Sequence, residues 1–108
     1  MSDAYAFVNR KINYDSEQLT ISTAAVSLTA SKYNNTASNK VPRKASVAII
    51  QALANDMYYT LDGSTPSASN GKRLVANTEL GIAGYQRIKN FQAIRVSADG
   101  AIHVDYYA

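Results

Sequence analysis

The stretch from Met57 to Pro66, MYYTLDGSTP, limits what this chain can fold into more than any other. Its first half alternates. Met57, Tyr59 and Leu61 fall on one side of an extended strand, Tyr58 and Thr60 on the other. Its second half is turn chemistry, because Asp62 tolerates a left-handed backbone and Gly63 has no Cβ to oppose one. The Asp62 carboxylate can accept N–H bonds from Ser64 or Thr65, while Pro66 holds Thr65 extended. A strand that runs into a rigid corner belongs to a sheet protein. It carries no reactive constellation, so chemistry alone does not assign a function.

With 108 residues the chain suits one domain and is too short for two. It has no cysteine, so its core must hold without disulfides. The opening Met1-Ser2-Asp3-Ala4-Tyr5 lacks a basic start and an apolar run, and no stretch reaches the length of a membrane span. The expectation is a protein made in a cytoplasm, with no membrane partner. A net charge of +3, carried in doublets such as Arg10-Lys11, Arg43-Lys44 and Lys72-Arg73, falls short of a nucleic-acid footprint. Eight tyrosines against two phenylalanines suit half-buried sheet faces and protein interfaces, where the ring packs and the hydroxyl stays wet.

Residues 1–18 are weakly patterned and read as an N-terminal arm. Within it Tyr5, Phe7 and Val8 could form an edge strand, and Asp15 to Gln18 could start a single helical turn. From Leu19 the pattern is extended, with Leu19, Ile21 and Thr23 and then Val26, Leu28 and Ala30 set between Ser and Thr. Ser31 to Pro42 reads as a long polar loop. Ala45 to Leu53 fits a strand with Val47, Ile49 and Leu53 inward, or a helical stripe of Ile49, Ile50, Leu53 and Met57. The β-branched cluster and the strand that follows favour the first. Leu74-Val75 and Thr78 to Ile82 are short strands, and Gly81-Ile82-Ala83-Gly84 reads as a turn near a sheet edge, without the helical flank of a phosphate-clamping loop.

The last part reads as a hairpin in which Phe91–Ser97 and Ala101–Tyr107 flank Ala98-Asp99-Gly100. With Gly100 as a left-handed bulge, Val96 pairs with Ile102 and Ile94 with Val104. This register buries one apolar face and gathers Arg95, His103 and Asp105 on the other.

Two resemblances follow from these motifs. Tyr59 to Ser69 looks like the YTxDGSTPTAS signature of small Fn3-associated β-sandwich modules that accompany carbohydrate-active enzymes. Over residues 19–107, the DGSTP corner, the strand Ile88-Lys89-Asn90-Phe91-Gln92-Ala93-Ile94-Arg95 and the closing Ile102-His103-Val104-Asp105-Tyr106-Tyr107 resemble a group of small virion structural proteins of tailed bacteriophages and prophages. That resemblance implies a β-sandwich coating or joining a particle, and no catalytic residues.

Chemistry points the same way. His103 is the single histidine and lies two residues from Asp105, but a hydrolase would need an activated serine beside it. No pair of carboxylates is spaced for glycoside hydrolysis, and a zinc site from one chain lacks ligands. Tyr58, Tyr59, Tyr106 and Tyr107 could stack on single-stranded nucleic acid, yet neighbours on a strand face opposite ways.

The expected fold is all-β, a small antiparallel β-sandwich of about seven short strands over residues 19–108, with the arm over 1–18. The expected function is non-enzymatic and cofactor-free: a capsid decoration or cement protein of a virion, made in the host cytoplasm and homo-oligomeric on the particle. Its expected partners are the major capsid protein or other virion subunits. Alternatives are a head–tail joining or tail subunit, a carbohydrate-binding module and a single-stranded nucleic-acid binder. The residues expected at the docking surface are Tyr5, Phe7 and Arg10, then Tyr33, Asn34, Asn35 and Lys40, and Lys72 and Arg73. Asp62, Gly63, Pro66, Asp99 and Gly100 are assigned to structural turns.

Overall fold

A computed structural model of the chain describes residues 12–35 and 43–108. Two four-stranded antiparallel sheets carry the fold. In chain order the strands are β1 (Asn13–Ile21), β2 (Val26–Ser27), β3 (Asn34–Asn35), β4 (Arg43–Lys44), β5 (Val47–Ala54), β6 (Met57–Thr60), β7 (Lys72–Leu74), β8 (Glu79–Ala83), β9 (Gln92–Arg95) and β10 (Gly100–Tyr107). The described helices are α1 (Ala30–Tyr33) and α2 (Tyr85–Asn90). The first sheet runs β1-β10-β5-β8 and the second β2-β9-β6-β7, while β3 and β4 make a separate ribbon. The all-β sandwich expected from the sequence is thus the architecture found.

The chain switches sheets at nearly every turn. β1 passes to β2, β5 to β6, β7 to β8 and β9 to β10, each time from one sheet to the other. Consecutive strands therefore face each other across the core. Asn55, with φ 54°, and Asn77, with φ 65°, take the left-handed backbone that two of these arches need. The inward side chains follow the strand period. On β10 Gly100, Ile102, Val104 and Tyr106 are buried, and the residues between them are half-exposed. They meet Met57 and Tyr59 of β6, Ala93 of β9 and Leu74 of β7, while Ile88 of α2 and Phe91 join the same cluster. Burying each large apolar side chain here contributes about 1.5–3 kcal/mol.

Several expectations are corrected. The hairpin of β9 and β10 does not form, because β9 lies between β2 and β6 and β10 between β1 and β5. An arch leaves both edges of each strand open to a neighbour, whereas a hairpin would use one edge of each on the other. Arg95 therefore pairs with Asp99, Nη1 to Oδ1 at 2.7 Å, away from His103. Gly100 is not a left-handed bulge, since its φ is not positive. It is required by space: a Cβ there would lie 2.6 Å from the Ala54 carbonyl oxygen and 3.1 Å from Met57 Cε.

Residues 47–54 are a strand, as the β-branched cluster implied, but with the opposite facing. Ala48, Ile50 and Ala52 enter the main core opposite Tyr106, Val104 and Ile102, while Val47 and Ile49 cluster with Tyr107 on the other side of the sheet. Both faces of this segment are apolar, so alternation could not choose. β1 starts at Asn13, inside the segment assigned to the arm, and the helical turn at Asp15–Gln18 is strand. The polar run after Ser31 is not loop throughout, for it contains most of α1 and all of β3; residues 36–42 lie outside the described part. A helix, α2, also follows Gly84 directly, where no helical flank was expected.

Candidate interaction surface

The corner that dominates the sequence forms as expected. Asp62 Oδ1 accepts the Ser64 N–H at 3.0 Å and the Ser64 hydroxyl at 2.5 Å, and these bonds hold its carboxyl below the usual range. Gly63, with φ 85°, turns the chain, Thr60 Oγ1 donates to the Ser64 carbonyl at 2.6 Å, and Pro66 is buried. Asn70 ties the returning loop to the corner, its amide donating to Ser64 Oγ at 3.1 Å and the Thr65 carbonyl at 2.9 Å. Gln92 of β9 donates to the Gly63 carbonyl at 3.1 Å.

This frame walls an open cleft of about 560 Å³, lined by Tyr59 to Asp62, Asn70 to Lys72, and Arg87. Its floor is firm, because the Tyr59 ring is buried and stacks on Phe91 with centroids 6.1 Å apart. Lys72 reaches it from β7 and Arg87 from α2. Neither has a carboxylate partner among the described residues. Arg87 is the residue the sequence reading missed. Tyr85, Ile88 and Phe91 at three-residue spacing were the signal for the short helix that places it.

The remaining expected contact residues are scattered. Tyr5, Phe7, Arg10 and Lys40 lie outside the described residues. Tyr33 is not a surface residue. It is buried, its ring meets Tyr85 edge-on at 5.8 Å, and Lys44 Nζ sits 4.7 Å from the Tyr85 centroid. Asn34 and Asn35 pair with Lys44 and Arg43 in the β3–β4 ribbon. Arg73 is exposed but held by Asp56, Nε to Oδ2 at 2.9 Å, and Asp56 also accepts the Ala76 N–H at 2.9 Å. The Ala76 bond, then the Arg73 guanidinium, lower the Asp56 carboxyl below its ordinary value. Of the expected residues that are described, only Lys72, with the turn residue Asp62, joins the cleft.

Most other polar groups serve the fold. Glu17, on an inward position of β1, accepts from the Tyr106 hydroxyl and the Thr29 hydroxyl, each at 2.5 Å, and from the Thr29 N–H at 3.2 Å. Asp15 holds Lys32 Nζ at 3.1 Å, and Tyr14 donates to the Lys32 carbonyl at 2.7 Å. Burial first, and the Glu17 bond second, push the Tyr106 hydroxyl far above its ordinary value. His103 Nε2 lies 3.1 Å from Asp105 Oδ1 on the outward face of the first sheet. The register puts Gln18 and Gln51 beside His103 and Ser16 beside Asp105.

Compared with known proteins, the chain matches no family model, no curated protein and no solved structure. By its geometry the protein is an all-β sandwich with a rigid corner beside an open cleft, whose two cations have no ion pair among the described residues.

Proposed function

We propose that this protein is a non-enzymatic structural subunit of a tailed-phage virion, which binds the outside of the capsid as a decoration or cement protein. The observation that carries the reading is how the described charges are used. Asp15, Glu17, Asp56, Asp99 and Asp105 are held by neighbouring side chains, and the cleft's cations Lys72 and Arg87, which line it together with Asp62 and form no ion pair among the described residues, sit on a rigid frame. Such an arrangement suits recognition of a neighbouring protein's acidic surface more than it suits bond making. The resemblance of the DGSTP corner and the closing strands to virion structural proteins gives the reading its setting. The mechanism is interface burial repeated over a symmetric lattice, where modest contacts add up because many copies bind at once.

The test is co-sedimentation of the purified protein with empty capsids of the phage or prophage that encodes it, with bound copies counted. Saturation at a lattice multiple, and weakened binding of the Lys72→Glu, Arg87→Glu double variant, are the expected results. A small ring-like copy number would move the protein to the head–tail junction or tail. Retention on polysaccharide without capsid binding, or single-strand affinity that falls steeply with salt, would overturn the proposal.

A further inference from the structure

The sandwich leaves strand edges open, and they are not equally protected. β1 is an edge strand, but it carries the inward charges Asp15 and Glu17 and a register shift between Asn13 and Asp15. Inward charges and bulges are the devices that keep an edge from pairing with another chain. β7 presents Lys72 and Arg73, and β2 is two residues long. β8 carries a single charge, Glu79, at its first residue. Leu80, Gly81, Ile82 and Ala83 carry no charge and no proline, and the strand runs against β5 without a shift.

The phase of its hydrogen bonds follows from the register. Gly84 N–H bonds the Ser46 carbonyl and Ala52 N–H bonds the Thr78 carbonyl, both at positions of the same alternation. Hence Ile82 and Leu80 direct N–H and C=O towards Ala48 and Ile50 of β5, and Gly81 and Ala83 direct theirs away from the sheet. Among the described residues no strand pairs with this side of β8. Leu80 packs on the core yet remains half-exposed at the same rim.

We propose that β8 pairs with β8 of a second copy of this chain, antiparallel about a two-fold axis at Ile82. Gly81 of each copy exchanges hydrogen bonds with Ala83 of the other, and the two first sheets join into one. The contact is self-complementary, since an antiparallel strand offers its copy the same alternation of donors and acceptors. It brings no like charges together, and it covers the exposed part of Leu80. Among the described residues no other open edge meets these conditions. The inference is independent of the particle, so a monomeric protein that still binds capsids would sink it and leave the functional reading standing.

The experiment is sedimentation of the whole protein over a range of concentrations, combined with amide hydrogen exchange. A reversible dimer is expected. In concentrated protein the Gly81 and Ala83 amides should exchange at least roughly tenfold more slowly than in dilute protein. The Ile82 amide, already bonded to Ala48, should be protected at both. Ala83→Pro removes an outward N–H and no bond to β5, as proline does on edge strands, and should yield a folded monomer. If that variant fails to fold, the exchange of the unaltered protein still decides. A monomer at every concentration, or a dimer whose Gly81 and Ala83 amides exchange as in dilute protein, overturns the proposal.

Discussion

Replacing Tyr106 by Phe tests the polar centre of the sandwich. The ring of Tyr106 is fully buried, 6.4 Å from that of Tyr14, and its hydroxyl donates to Glu17. The substitution keeps the ring, so no cavity of consequence opens, and the loss is that of one hydrogen bond to a carboxylate. Such bonds contribute about 1.5–3 kcal/mol, against about 0.5–1.5 kcal/mol for neutral pairs. Glu17 keeps both contacts from Thr29, which places the expected loss near the lower bound, about 2 kcal/mol. For a domain of this size that is roughly 8 °C in Tm. Tyr14→Phe is the comparison, because its hydroxyl bonds the neutral Lys32 carbonyl and should cost only about 1 kcal/mol. Urea unfolding followed by far-ultraviolet circular dichroism at neutral pH measures both, with an unchanged slope indicating that stability alone has moved. A double-mutant cycle with Glu17→Gln should show a coupling on the order of 1 kcal/mol. If Tyr106→Phe costs no more than Tyr14→Phe, or the coupling vanishes, the reasoning from the Glu17 network is refuted.

Two further outcomes follow from burial and space. Burial, followed by the Asp15 charge, pushes Tyr14 up to about 12, and Tyr106 is raised further, both above the unfolded value of about 10. The stability these groups contribute is therefore fully present below about pH 10 and is lost as pH rises from there through the folded values. An ultraviolet titration in which every tyrosine ionises near pH 10 with the fold intact, at that value, would contradict this. Gly100→Ala forces a Cβ to 2.6 Å from the Ala54 carbonyl oxygen, a backbone atom that cannot swing aside as the end of a side chain can. The expected loss is about 1–3 kcal/mol in a thermal melt, and a neutral result would mean that the β5–β10 approach is looser than described.

The parts of the fold that were legible in the sequence are the local ones. The Asp62–Ser64 bonds span two residues, and the alternation of β6 and β10 needs only the strand period. What was hidden depends on partners far along the chain. Asp99-Gly100 is equally good turn chemistry for a hairpin and for an arch, and only the places waiting between β1 and β5 decide. Charged Asp15 and Glu17 broke the apolar pattern of β1 because their partners, Lys32, Thr29 and Tyr106, lie on other elements. Tyr33 sat in a polar run and looked wet, yet it is buried with its ring against Tyr85, a contact no local pattern announces. The cleft was half readable, since Lys72 and Asp62 were singled out and Arg87 needed the helix.

The place of β10 has a consequence for biosynthesis. β10 follows every other described strand in the chain yet fills the middle of its sheet, and each neighbour it joins was translated long before it. A nascent polypeptide that has not yet delivered residues 100–107 therefore lacks the strand that joins β1 to β5, and the two most extensive strand–strand contacts wait for that moment. A ribosome that stalls or terminates before Gly100 releases a chain without its spine, a ready substrate for proteases.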